Sequence, residues 1–376
     1  MTKTGHVFKN AYYFLLIVVS LINSTASAFE HPGGITTQEQ IRAAAARINA
    51  NTTTFSVKWK RLIRAAASKL RERPSAVKNL DIPAYYKNRQ ASTRAASVIG
   101  RDVRSAYPAA VVYAISAEIS ERLPRTDQYA EQAIRILNDW AWNNKGFSGE
   151  NAGLTPCVEI IGLIQAAEMV YHYPGWHSQD KAQFMKWAKT VVYDQAEIKN
   201  RGLRGDWFSN WNDWGILMAL AVDHLTDDRS RFSQDAQLLE TLISLQIKPD
   251  ESMPKEVHRS DKGIIYTAFA LEPMTAAVEI VRNSGGRDLR HWNPPDGGSI
   301  KNALDYLYNN GFENPSRWPI SSATRNYRNA YAADELFAAT SRIYGVRKWA
   351  NFRSPDFPDL YTGGAWAAPE FFEPTP

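Results

Sequence analysis

Apolar residues recur at spacings of three and four through most of the chain, the signature of helices with one buried face. The pattern predicts helices over 39–50, 56–70, 102–122, 127–142, 156–171 and 178–198. It continues over 214–225, 235–247, 266–282, 300–308 and 329–344. Start signals accompany several of them: Thr126 before Asp127, Thr155 before Pro156, and Ser178 with Asp180. Strand-like alternation is scarce, and the connections are short and rich in turn formers, such as Tyr173-Pro174-Gly175 and the NPPDGG run at 293–298. The fold class is therefore all-α. Helices on short loops must bury their apolar stripes against one another. A ring of antiparallel helix hairpins, an incomplete (α/α) toroid with a polar cleft at one mouth, does this, and an irregular bundle or open solenoid meets the same periodicity. No low-complexity linker or fixed-period repeat divides the chain, so 29–376 is expected to form a single domain.

Residues 1–28 follow a different pattern. Lys3 and Lys9 precede an apolar run at 11–22, and Ala26-Ser27-Ala28 has the small-x-small form of an export cleavage site. The run is about 12 residues, short of the roughly 20 that span a bilayer, and no later charge-free segment approaches that length. The expectation is a cleaved signal peptide over 1–28, with a mature chain from Phe29 that is periplasmic or secreted and no longer in a membrane.

Composition narrows the function. With 44% hydrophobic residues in 376, the chain has ample core and is not disordered. Cys157 is the only cysteine, which excludes a disulfide scaffold, and its apolar surroundings suit a small core residue. The net charge of +5 falls to +3 without 1–28, which hold two lysines and no acids. That is too dilute for the basic stripe of a nucleic-acid protein, so no nucleic acid is expected. An anionic polysaccharide is the better-matched partner for an exported, mildly basic monomer. Twelve tryptophans and 17 tyrosines supply rings that either fill the core or stack on sugars.

Two stretches carry candidate chemistry. The first, RGDWFSNWNDW at 204–214, sets three tryptophans and two asparagines before an apolar helix. Asn210 at a helix start could meet a carboxylate through the free N–H groups and the dipole, or Asn210 or Asn212 could simply cap the helix. Trp207, Trp211 and Trp214 are candidates for stacking on sugar rings. The second, EVHRSDKGIIYTAFALEP at 256–273, puts His258, Arg259 and Lys262 ahead of Tyr266. A tyrosine beside cations is a candidate Brønsted base, since positive charge favours the phenolate; otherwise Tyr266 is an ordinary helix-face residue. Together these groups meet the needs of uronate elimination. Removing the proton on C5 requires that the adjacent carboxylate be neutralised by amide, imidazole or guanidinium donors, and the leaving O4 needs an acid. No metal or organic cofactor is required. His172, His177, His224 and His291 show no metal-ligand spacing, and no phosphate loop or nucleophile elbow occurs. Arg325 and Tyr327 are further candidates for binding carboxylates, and Tyr85, Tyr86 and Arg89 for a lid.

These blocks resemble the alginate-lyase-like polysaccharide lyases with an α/α toroid. SNWNDWGILMALAVDHLTDDRSRF at 209–232 is similar to their "Asn, aromatic, Trp" helix. VHRSDKGIIYTAFALEPMTAAVEIVRNSGGRDL at 257–289 is similar to their helix with Arg, then Tyr, then Ala-Leu-x-Pro-Leu, here Arg259, Tyr266 and Ala270-Leu271-Glu272-Pro273-Met274. NWNDWGI also resembles the NWWDWEIG of hyaluronate and chondroitin AC lyases, whose later His and Tyr are spaced like His258 and Tyr266. The likeness runs over about residues 80 to 310. It implies that Asn210 neutralises the substrate carboxylate and that Arg259 assists or lowers the pKa of Tyr266. Tyr266 is then the acid and, in a syn elimination, also the base. One departure stands out. Alginate lyases carry Asn-His in the first block, whereas Trp211 follows Asn210 here. His258 would take over the base role, and alginate, glucuronan and a glycosaminoglycan all stay open as the uronate polymer. Two other readings use the same residues. A toroid glycoside hydrolase would pair two carboxylates from Asp206, Asp213, Glu256 and Asp261, and a non-catalytic polyanion-binding protein would use the same basic, aromatic cleft.

Overall fold

In the computed structural model the described residues are 28–50, 53–120, 123–195, 208–325, 331–350, 352, 364–367, 371 and 372. Of the signal peptide expected over 1–28, only Ala28 is among them. Thirteen α-helices are described: α1 (Gln38–Asn49), α2 (Thr53–Lys69), α3 (Arg89–Glu118), α4 (Asp127–Asn143), α5 (Thr155–Met169), α6 (Ser178–Trp187), α7 (Asn210–Leu225), α8 (Arg229–Gln246), α9 (Pro254–Val257), α10 (Gly263–Asn283), α11 (Ile300–Tyr306), α12 (Tyr331–Ile343) and α13 (Arg347–Ala350). The only strands among the described residues are β1 (Asn79–Asp81) and β2 (Gly146–Ser148), a short parallel pair in the register Asn79 to Gly146.

Packing order gives the architecture. α1 packs on α3, α3 on α5, α5 on α7, α7 on α10 and α10 on α12, an inner series drawn from successive hairpins. α2 and α4 pack outside α3, and α8 outside α7. Three inner helices, α5, α7 and α10, are apolar nearly all round, as a helix with neighbours on every side must be. In α7 every residue except Trp211 is buried, and α5 and α10 are close to that. This is the α/α toroid. The Ser260–Asn283 stretch is long and apolar enough to cross a bilayer by length and composition, but 83% of its apolar window is buried among the other helices, as a toroid core helix requires. The C-terminal segment crosses the inner series. Tyr107 of α3 donates to Ala367 O, Gln165 of α5 to Ala365 O, and Trp366 Nε1 to Thr275 Oγ1 of α10.

Periodicity places the helices but misses several starts. α3 begins at Arg89 rather than near 102, because its first turns are built largely from Ala and Ser, which give little apolar contrast; Asn88 Oδ1 caps it by accepting from Ala91 N–H at 3.1 Å. α8 begins at Arg229 rather than 235, with a polar first turn capped by Asp228 on Arg231 N–H at 3.3 Å. Thr126 does not cap α4, since its hydroxyl donates backwards to Leu123 O. Cys157 is buried, as its apolar surroundings indicated.

Candidate active site

Three local devices bring the candidate residues to one corner. Asn210 opens α7, and Asn212 Oδ1 accepts the Ser209 N–H at 3.2 Å, so Asn212 is the capping asparagine. The short α9 carries Glu256, and the chain turns back on itself into α10 at Gly263. A Cβ at Gly263 would lie 2.3 Å from Val257 O, so only glycine lets α10 start so close to the end of α9. The strand pair fixes the 82–88 loop. Ile82 N–H donates to Ser148 O and Asn151 N–H to Ile82 O, and Gly149, at φ 90°, leaves room that a side chain would fill. That loop delivers Tyr86.

The resulting contacts form one chain. Asn210 donates both its backbone N–H (2.8 Å) and its Nδ2 (2.9 Å) to Glu256 Oε1. Glu256 Oε2 lies 3.2 Å from Arg259 Nε. The Arg259 guanidinium sits 4.5 Å from the centre of the Tyr266 ring, and the Tyr266 hydroxyl is hydrogen-bonded to that of Tyr86. Lys262 Nζ is 4.5 Å from the Tyr86 ring centre. Asn210, Arg259, Tyr266 and Lys262 are thus brought together, and Tyr86 joins them.

The remaining candidates fare differently. His258 is exposed, and its side chain takes no part in this chain of contacts. Trp214 is a core residue rather than a sugar platform: it is buried, its Nε1 donates to Phe269 O at 3.1 Å, and its ring packs 5.2 Å from that of Phe269. Trp211 is the one partly exposed residue of α7. Trp207, Asp206 and Tyr327 lie outside the described residues. Arg325 ends the 3₁₀ turn Ser321–Arg325, which packs against Ser260–Lys262; its side chain lies outside the described residues.

Electrostatics revise two expectations. Tyr266 is held above the ordinary tyrosine range, by burial first and then by the hydrogen bond its hydroxyl makes to Tyr86, which favours the protonated form. Arg259 pulls it down as expected, but by less than these raise it, and Glu256 adds to the rise. At rest the phenol is protonated. Asn210 is fully enclosed and its amide N–H serves Glu256, whereas a donor to the substrate had been expected to face the cleft. Glu256 was legible only as a hydrolase carboxylate; its place three residues before Arg259 was the available sign of an ion pair. Asp213, the other such carboxylate, is fully buried, accepts from Gln246 Nε2 at 2.5 Å, and is pushed well above the usual range by burial. A pair of carboxylates open to a scissile bond is therefore not formed by Asp213 and Glu256. Glu256 also lines a cavity of about 370 Å³ with Phe208, Lys248 and Lys255.

Comparison with known proteins bears on the whole arrangement. The alginate lyase family model matches residues 104–318, more than half of the chain and both candidate stretches, 204–214 and 256–273. No curated protein matches the sequence. Among solved structures, an alginate lyase from Bacteroides ovatus superposes with a TM-score of 0.71 at 17% identity, over 91% of this chain and 99% of that one. Alginate lyase A1-III from Sphingomonas species A1 gives 0.69 at 14%, over 93% and 98%. A form of A1-III complexed with a tetrasaccharide gives 0.68 at 14%, over 93% and 98%. At these identities the superpositions speak for the toroid alone, while the sequence match carries the family. The chain belongs to the alginate lyase family of polysaccharide lyases.

Proposed function

We propose that the protein is an exported, monomeric lyase that cleaves 1,4-linked D-mannuronate or D-glucuronate polymers by β-elimination, with Tyr266 as both base and acid. The observation that carries this reading is the contact chain from Asn210 through Glu256 and Arg259 to the Tyr266–Tyr86 phenol pair. Arg259 and Lys262, both partly exposed, supply the positive charge that neutralises the uronate carboxylate. Asn210 and Glu256 hold Arg259 in place. Tyr266 first loses its proton through the exposed Tyr86 hydroxyl to solvent. The phenolate takes the C5 proton, the C4–O4 bond breaks as C4=C5 forms, and the phenol returns the proton to O4. No atom is gained or lost beyond the substrate's own.

One phenol can serve both steps only where the C5 hydrogen and O4 lie on the same face of the ring. They do so in D-mannuronate and D-glucuronate and lie on opposite faces in L-guluronate. With Trp211 in place of a histidine and His258 outside the contact chain, the site supports the same-face reaction. The test is incubation with polymannuronate, glucuronan, polyguluronate and chondroitin. Ultraviolet absorbance of an unsaturated uronate is expected with the first two. New reducing ends without that absorbance would turn the reading to hydrolysis, binding alone would turn it to the polyanion binder, and preferential cleavage of polyguluronate would remove the single-tyrosine mechanism. Tyr266→Phe keeps the ring and loses the oxygen that moves the proton, so turnover is expected to fall by 10² or more while substrate binding holds.

A further inference from the structure

At the opposite end of α7 from Asn210, the first described residues are built into the fold. Phe29 is 7% exposed. Its backbone N–H donates to Asp227 Oδ1 at 2.6 Å, and its ring stacks on His224 at 4.7 Å with the Arg229 guanidinium 4.0 Å from its centre. Two residues on, His31 Nδ1 lies 3.1 Å from both oxygens of Glu168, and His31 Nε2 lies 3.5 Å from the same Asp227 oxygen. Glu168 also takes Gly33 N–H and faces His224 Nδ1 at 3.0 Å. Ala28, by contrast, is exposed, with its carbonyl accepting from Arg229 Nη2 at 3.1 Å. At the bond that follows Ala26-Ser27-Ala28, exposed Ala28 gives way to buried Phe29; Glu30 is exposed and residues 31–36 are buried.

We propose that hydrolysis of the Ala28–Phe29 bond by an export peptidase creates an α-ammonium on Phe29 that pairs with Asp227, so that maturation itself fastens the N-terminal segment to the toroid. Water adds to the Ala28 carbonyl carbon and the C–N bond breaks. Ala28 leaves as a carboxylate with the leader, and the Phe29 nitrogen takes up protons to become –NH₃⁺. A neutral amide donor at 2.6 Å from a carboxylate thereby becomes a cation at the same place, and charge-assisted bonds are roughly twice as strong as neutral ones. Asp227 is 32% exposed on its side chain, so the new pair forms at the edge of solvent rather than in the dry interior. Arg229 gives up the Ala28 carbonyl but keeps the Phe29 ring. Its like charge acts against the ammonium, so the gain depends on Asp227.

Two measurements test this. N-terminal sequencing of the protein recovered from an exporting bacterial host is expected to begin Phe-Glu-His-Pro, and any other start overturns the proposal. The second compares a chain beginning at Phe29 with one retaining Ala28, each with and without Asp227→Asn. The Phe29 chain is expected to melt roughly 2 °C or more above the Ala28 chain, and the difference is expected to vanish in the Asp227→Asn pair. Equal melting in the native background, or a difference that survives Asp227→Asn, overturns it. Should Asp227→Asn fail to fold, an amine-selective reagent replaces it: the Phe29 α-amine is expected to label at least 10-fold more slowly in the folded than in the urea-unfolded chain, and equal rates overturn the pairing. Lyase activity is not a readout, so failure here leaves the elimination mechanism standing.

Discussion

A phenol's proton is set by its neighbours, and Tyr266 shows how the balance falls. Burial and the Tyr86 hydroxyl keep the proton on, and Arg259 opposes them with less effect. In the proposed mechanism the reaction starts from the phenolate, so kcat/KM is expected to rise with pH as Tyr266 ionises. Tyr86→Phe removes a bond that favours the protonated form, so the rising limb should move to lower pH. A limb that stays in place or moves up would show that Tyr86 does not govern Tyr266. Asn210 calls for a separate test because its amide N–H is committed to Glu256. As a positioning residue, its replacement in Asn210→Ala should lower kcat by less than about 10-fold and lower Tm as well. A loss of 10²–10³ at unchanged Tm would make it a direct donor to the substrate. Legibility differed among these residues. Arg259, Lys262 and Tyr266 could be chosen from sequence because their spacing is local. Tyr86 could be flagged but not assigned, since it reaches Tyr266 across 180 positions.

Among the elements, α10 does two jobs from its two halves. Its start carries Tyr266 into the site, and farther along Glu272 meets the C-terminal segment, accepting Ala365 N–H at 2.9 Å. Glu272 is fully enclosed, and burial pushes its carboxyl up to about 7 against the opposing Ala365 bond. A folded-state pKa above the unfolded value of 4.5 means that the folded chain holds the extra proton. The stability this confers is complete below the unfolded value and is lost as pH rises through about 7. Glu272→Gln keeps an acceptor oxygen and cannot ionise. Its Tm should match that of the native protein near pH 4 and exceed it at pH 8, and a pH-independent difference would contradict the buried-acid account. The helices themselves were readable from periodicity wherever large apolar residues alternate with polar ones. Where Ala and Ser dominate, as at the start of α3, the same reading came up short by three turns.

For the molecule as a whole, the described inner series runs from α1 to α12, and the C-terminal segment ties several of its members together. Trp366 is 5% exposed and donates to Thr275 Oγ1 at 3.0 Å, while Arg47 of α1 donates to Phe371 O. The segment acts as a strap across the inner face. Trp366→Ala is expected to cost about 3–5 kcal/mol, the usual loss for removing a buried tryptophan, measured by denaturant unfolding. A cost below about 1 kcal/mol would show that the strap contributes little to holding the helices in register. Its short apolar groups at 364–367 and 371–372 carry no helical period, so nothing local marks them as core.

What the sequence determined by itself is what depends on near neighbours along the chain. That covers the helical repeat, the all-α class, the basic cluster ahead of Tyr266, and the likeness to a lyase family that the family match then established. The tertiary structure decided which of several chemically able groups meet. It enclosed Trp214 and Asp213, tied the Asn210 amide to Glu256, left His258 outside the contact chain, and brought Tyr86 to Tyr266. The physical reason is distance along the chain. A helix is fixed by contacts three and four residues apart, whereas exposure, proton affinity and hydrogen-bond partnership depend on atoms contributed by segments tens to hundreds of positions away.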